Sequence, residues 1–149
     1  MKKGFTLIEV LISIAILALI TAVILGIFRL FDENRALSSA TAGVISVIEK
    51  ARQLTLFSKD SSQYGVHFDT NEVVIFKGDT FSAMDVNNIT TKLHSKIFIE
   101  DISLNGGAPD LIFERLSGET EEYGTITIQS KADSSKTKVL IIEKTGLVR

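Results

Sequence analysis

Hydrophobic positions along the chain fall into three regimes of different period. From Phe5 to Phe28 nearly every position is apolar, the one acid is Glu9, and the 19 residues from Val10 to Phe28 carry no formal charge. A helix of about 20 such residues crosses a bilayer core, so this run predicts a membrane-spanning helix. Beyond Arg29 the apolar residues thin to a stripe: Leu37, Ala40, Val44, Ile48, Ala51 and Leu54 recur at steps of three and four, with Asn34, Ser39, Ser46, Lys50 and Gln53 between them. That spacing predicts an amphipathic helix to about Phe57. Continuous from Phe5, the helix would hold roughly 53 residues and extend about 80 Å. Gly26 is its weak point, costing about 1 kcal/mol against alanine.

At Ser58-Lys59-Asp60-Ser61-Ser62 the pattern turns polar, and afterwards the period is two. Tyr64 to Phe68 and Glu72 to Phe76 read as strands joined through Asp69-Thr70-Asn71. Lys96 to Leu104 and Leu111 to Arg115 flank the loop Asn105-Gly106-Gly107-Ala108-Pro109-Asp110, and Thr125 to Gln129 and Lys138 to Glu143 flank the polar Ser130 to Thr137. Six or seven short strands after one long helix predict an α+β fold. The amphipathic half of the helix would cover an antiparallel β-sheet. Residues 5–28 then form the apolar helix, 29–58 its amphipathic continuation, and 59–149 a β-rich globular domain.

Charge and composition narrow the function classes. The whole chain carries net charge −2, and residues 29–149 carry −3, with 14 basic and 17 acidic side chains. Nucleic acid needs a clustered basic face, so this balance argues against it as a partner. Cysteine is missing, which excludes a disulfide framework and a thiolate metal site. Lys2 and Lys3 precede the apolar run, whereas Arg29, Asp32 and Glu33 follow it. The positive-inside rule therefore keeps the N-terminus in the cytoplasm and sends the domain across the inner membrane. A secretory signal peptide shares the basic start, but its apolar core is about 7 to 15 residues long and a small-residue cleavage site follows closely. Here the run is longer, and Ala40-Thr41-Ala42 lies well inside the predicted helix. A plain membrane anchor explains the length and the lysines but not Glu9. A charge at the bilayer centre costs on the order of 2.5 kcal/mol or more, so an acid there calls for a partner.

The opening Lys2-Lys3-Gly4, followed by Phe5-Thr6-Leu7-Ile8-Glu9-Val10, closely resembles the cleavage and methylation signature of type IV prepilins and pseudopilins. The resemblance implies a leader of residues 1–4 and cleavage between Gly4 and Phe5 by a prepilin peptidase. It further implies N-methylation of the Phe5 amine and an assembly salt bridge from Glu9 to the N-terminal amine of a neighbouring subunit. The helix would first tether the protein in membrane lipid and later pack in the core of a filament, with an inner-membrane assembly platform as a further partner. Ala51-Arg52-Gln53-Leu54, Tyr64-Gly65-Val66-His67-Phe68 and the closing Val139 to Arg149 also resemble the H-type minor pseudopilins of type II secretion and related minor pilins. The expectation is a non-enzymatic structural subunit, a minor pilin or pseudopilin. The alternatives are a DNA- or surface-binding minor pilin at a filament tip, and a membrane-anchored outer domain without assembly.

Catalytic, cofactor and metal signals are weak throughout. His67 falls in a predicted strand and His94 in a loop, with no nearby acid-serine arrangement of the kind a triad needs. Gly106-Gly107 has too few glycines for a phosphate loop and no helix start after it. Glu119, Glu121 and Glu122 offer hard oxygens to calcium, which some pseudopilins bind, but their spacing matches no known calcium loop and a solvated acidic loop explains them. Some DNA-binding minor pilins carry two arginines after a C-terminal glycine. The tail Gly146-Leu147-Val148-Arg149 has one. No catalytic, cofactor or metal residue is therefore assigned.

Overall fold

A computed structural model describes residue 4, residues 6–58 and residues 61–149, with all side chains among these except those of residues 25–31. One α-helix, α1, runs Leu7–Leu56 and is followed by seven strands. These are β1 (Tyr64–Phe68), β2 (Glu72–Lys77), β3 (Ile89–Lys92), β4 (Ile97–Leu104), β5 (Asp110–Ile112), β6 (Gly124–Ser130) and β7 (Thr137–Ile142). The chain divides into two units, Met1–Asn34 and Arg35–Arg149.

In the first unit, Leu7–Ile24 forms an 18-residue helical stretch of mean hydropathy 2.8, every side chain of it exposed. Among the described residues it is the one helix long and apolar enough to cross a membrane. A core helix of a soluble domain would be buried. This one presents leucine, isoleucine and valine all round, so its surface requires lipid or other helices to cover it.

The second unit is built on the amphipathic half of α1. Ala36, Leu37, Ala40, Val44, Val47, Ile48 and Ala51 are buried at steps of one, three and four, as a helical stripe requires. Against them pack the inner faces of two antiparallel sheets, with strand orders β3-β2-β1-β5 and β4-β6-β7. Alternation places Val66, Phe68, Val73, Ile75 and Leu111 of the first sheet in the core, and Ile99, Ile126, Ile128, Leu140 and Ile142 of the second. Between Ile99 and Asp101 the β4–β6 register shifts by one residue, a bulge at Glu100 that returns the following side chains to the correct face. The last residues fold back on β7, where Ile141 and Arg149 exchange two backbone hydrogen bonds of 3.0 Å.

Several elements differ from the pattern-based expectation. The single sheet is two sheets, because the Asn105–Pro109 loop carries the chain from β4 in one to β5 in the other. Leu111 to Arg115 was expected as a strand; β5 ends at Ile112 because a turn closed by the 2.9 Å bond from Gly118 N–H to the Glu114 carbonyl begins there. β3, Ile-Thr-Thr-Lys, lacks apolar alternation because it is an edge strand with a mostly exposed pattern. Helix α1 runs from Leu7 to Leu56 and passes Gly26 without interruption, while the expected start at Phe5 lies outside the described residues.

Two side chains fasten the helix end to the sheets. Fully buried Thr55 accepts from Tyr64 N–H at 2.9 Å and donates to the Ala51 carbonyl at 3.1 Å, which ties the last helical turn to the start of β1. Arg52 donates from Nε to the Gly118 carbonyl at 2.9 Å and from Nη2 to the Thr145 carbonyl at 3.2 Å. The loops carrying these carbonyls approach so closely that a Cβ at Gly146 would strike the Gly118 carbonyl oxygen, and the backbone at Gly146 has φ +76. A side chain there meets both a clash and an unfavourable conformation.

We expect Gly146→Ala to lower stability by more than about 1 kcal/mol. Gly43→Ala should be neutral or stabilising by up to about 1 kcal/mol, since Gly43 is helical and an added Cβ meets nothing within 4 Å. Thermal unfolding of the two variants in one detergent checks the contrast; equal midpoints would refute it.

Candidate functional site

The residues of the N-terminal motif lie at the start of α1. Gly4 is exposed and outside the helix, and an added Cβ would meet nothing within 4 Å. Among the described residues nothing requires glycine at this position. Phe5, Lys2 and Lys3 lie outside the described residues.

Thr6 is the helix N-cap and Glu9 the third helical residue, the spacing of a capping box. The Glu9 carboxylate Oε2 accepts from Thr6 N–H at 2.8 Å and from the Thr6 hydroxyl at 2.7 Å, while Glu9 N–H reaches back to Thr6 Oγ1 at 3.4 Å. A carboxylate in the first turn also faces the positive end of the helix dipole. Glu9 is thus held by its own chain, and because both Thr6 bonds fall on Oε2, Oε1 can accept a further donor. The remaining hydroxyls of the apolar stretch turn inward: Ser13 donates to the Glu9 carbonyl at 2.7 Å and Thr21 to the Leu17 carbonyl at 2.8 Å, each one turn back. Glu9 is the only acid in a stretch otherwise closed to polar contact.

Elsewhere, the weaker candidates are drawn into structural contacts. His67 on β1 meets Asp110 on β5, paired with it in register, through Nδ1 and Oδ1 at 2.6 Å. One face of its ring is stacked on Phe81 at 3.8 Å. A histidine so covered braces the loop after β2. His94 accepts a 3.3 Å bond from Lys96 N–H at a turn. The acids of the 119–122 loop diverge. Glu121 pairs with Lys144 at 2.8 Å, and Glu122 accepts from the Thr120 hydroxyl at 2.9 Å. No group of three or more acidic, histidine or cysteine side chains among the described residues is placed to hold a metal. Gly106 and Gly107 form a turn with positive φ, and Arg149 is paired with Glu143 at 3.0 Å.

Pattern reasoning missed the capping role of Thr6 and the joining of His67 to Asp110. The first was visible as Thr-x-x-Glu before an apolar run. The second is a 43-residue separation that only strand pairing reveals.

Residues 1–27 match the family described as the prokaryotic N-terminal methylation motif. The helix-plus-two-sheets fold is that of a pseudopilin, so the chain is pilin-like in its N-terminal motif and in its fold. Its fold is similar to the crystal structure of the minor pseudopilin EpsH from the type II secretion system of Vibrio cholerae. The TM-score is 0.56 at 19% identity, over 78% of this chain and 93% of that one. No curated protein matches the chain in sequence. The motif and the single apolar N-terminal helix fit a membrane-anchored pilin-like protein.

Thr6→Val should remove the cap and fray the first turn, at a cost of about 1 kcal/mol, whereas Thr6→Ser should retain it. Amide hydrogen exchange at Leu7 to Val10 in detergent micelles reads this directly; unchanged protection in the valine variant would refute the capping role.

Proposed function

We propose that the protein is a structural subunit, a minor pilin or pseudopilin, assembled into a type IV pilus or a type II secretion pseudopilus. The observation that carries this reading is the exposed apolar helix Leu7–Ile24 with one acid held at its start. Such a surface suits two successive environments, lipid before assembly and neighbouring helices after it.

In this reading a prepilin peptidase cuts between Gly4 and Phe5 on the cytoplasmic side, and the new amine of Phe5 is methylated. Glycine at position 4 meets the needs of that enzyme, since packing among the described residues makes no demand there. In the waiting subunit the carboxylate of Glu9 is satisfied by Thr6. On assembly it takes the ammonium of a neighbouring Phe5 as a further donor. The pair forms between apolar helices, where an unpaired charge is costly, so it favours the one register in which both groups are matched. The apolar helix exchanges lipid for helices as the inner-membrane assembly platform extrudes the filament, and residues 35–149 remain outside.

Processing is tested by the intact mass of the chain purified from a host with the peptidase. We expect an N-terminus at methylated Phe5. An N-terminus at Met1 or after Ala42 would refute the reading. Gly4→Val should leave the chain uncut. Glu9→Ala should still be cut yet enter filaments poorly, by roughly a hundredfold or more if a broken buried pair costs about 3 kcal/mol. Normal incorporation would remove the assigned role of Glu9.

A further inference from the structure

The loop between β2 and β3, residues 78–88, is braced at its base and apolar at its tip. Phe81 packs on His67 and, edge-on at 5.7 Å, on Phe76. Asp85 accepts from Asn87 N–H and Nδ2 at 2.8 Å each, and Asn88 Nδ2 donates to the Ser82 carbonyl at 2.7 Å. From this frame project Met84 and Val86, which are 95% and 96% exposed. Asp85 between them keeps its carboxyl below the usual carboxylate range because Asn87 donates to it, so the knob is apolar with a fixed negative charge.

A complementary surface lies elsewhere on the same domain. Between α1 and the first sheet is a groove of about 130 Å³ lined by Ala40, Gly43, Val44, Val47, Val73 and Leu93, with Lys92 and His94 on its rim. Small helical residues open it: a Cβ at Gly43 would meet nothing within 4 Å.

Knob and groove of one copy cannot meet. His67 and Phe76 alternate with the core residues Val66, Phe68 and Ile75, so the loop base sits on the outer face of the sheet, whereas Val73 and α1 are on the inner face. The loop joins Lys77 to Ile89, while the groove lies at the opposite ends of these strands, by Val73 and Lys92. At about 3.3 Å per residue that is roughly 15 Å along the hairpin.

We infer that Met84 and Val86 of one copy seat in the groove formed by α1, Val73 and Leu93 of a second copy, with Asp85 facing Lys92 and His94. Because the two patches differ, the contact is head-to-tail, and a head-to-tail contact whose rotation does not close propagates as a filament. The inference rests on the proposed filament role but names a separate contact, in the domains rather than the apolar helices.

The chain has no cysteine, so single replacements report the contact. Full-length Ser39→Cys and Met84→Cys chains are co-expressed in the membrane of the host and treated with a short bis-maleimide. The mixed Ser39–Met84 product should exceed both like-with-like products at least fivefold. Gly43→Leu in the groove-bearing chain, or Met84→Cys combined with Val86→Asp in the other, should reduce it about tenfold, while Gly43→Ala leaves it intact. Lys92→Glu should lower the yield and Lys92→Arg preserve it. A Met84–Met84 product of equal yield, no mixed product, indifference to Gly43→Leu at an unchanged melting temperature, or linkage of Met84 to a different protein instead would each overturn the inference. Mature N-termini at Phe5 without the mixed product sink this contact alone; the mixed product on unprocessed chains sinks the filament reading and leaves the contact standing.

Discussion

The fold depends on how one helix end is fastened to two sheets that share no strand. The core stripe from Ala36 to Ala51 supplies apolar contact to both, but apolar contact alone permits a helix to slide or rotate. Thr55 and Arg52 remove that freedom. Thr55 accounts for the Tyr64 N–H with a buried hydroxyl, which has no alternative partner in water, so loss of the bond leaves a desolvated donor. Arg52 spans two loops that flank opposite ends of β6 and β7 in sequence, one before β6 at Gly118 and one after β7 at Thr145. The glycines at 118 and 146 are the backbone counterpart of that clamp, since a side chain at either would press on Leu56, Arg52 or the neighbouring loop. Position and rotation of the stripe are thereby set by polar groups, while the energy of docking comes from the apolar ones.

The same helix carries a second surface under a different constraint. Leu7–Ile24 is apolar on every side, so it has no preferred face and no internal reason to choose one neighbour register over another. Glu9 breaks this uniformity. Capped by Thr6, its carboxylate is tolerable while the subunit waits, because two donors and the helix dipole already stabilise the charge. In the proposed assembly an incoming ammonium would add to that set and need not displace it. On the proposed reading the acid would serve a tethered subunit and an assembled one without giving up its Thr6 bonds.

How far these features were visible beforehand follows from their range. The helix was legible from Leu37, Ala40, Val44, Ile48 and Ala51, all buried as the stripe required, and six of the seven strands from their pattern, β5 with a displaced end. The β1–β2 hairpin was legible because Asp69, Thr70 and Asn71 interrupt two runs that pair directly, Phe68 against Val73. β3 was not, because an edge strand of Thr-Thr-Lys buries little and leaves no apolar signature. The division into two sheets was hidden for a different reason: alternation states which side of a strand is buried but not which strand lies beside it. Leu116, with φ +69, lies in the turn that follows β5 in a conformation that leucine seldom adopts, and no composition signal marks it. At the N-terminus Glu9 was conspicuous by its cost, whereas the capping role of Thr6 was overlooked although Thr-x-x-Glu before an apolar run marks it.

A filament built from such a subunit needs every contact between neighbours to be satisfied by one screw displacement. Apolar helices packed side by side leave the sliding component of that displacement nearly free, since leucine and isoleucine succeed one another along the axis at similar size. The proposed charge pair at Glu9 would constrain the axial component at one end of the helix. A knob and groove on the outer domain would constrain the remaining rotation, because they lie on opposite faces of one sheet and at opposite ends of its central hairpin. Two independent restraints determine a screw operation better than either alone. A smooth helical shaft, a single acid at its start and a braced apolar loop would then divide the work: the first would supply area, and the other two would supply register.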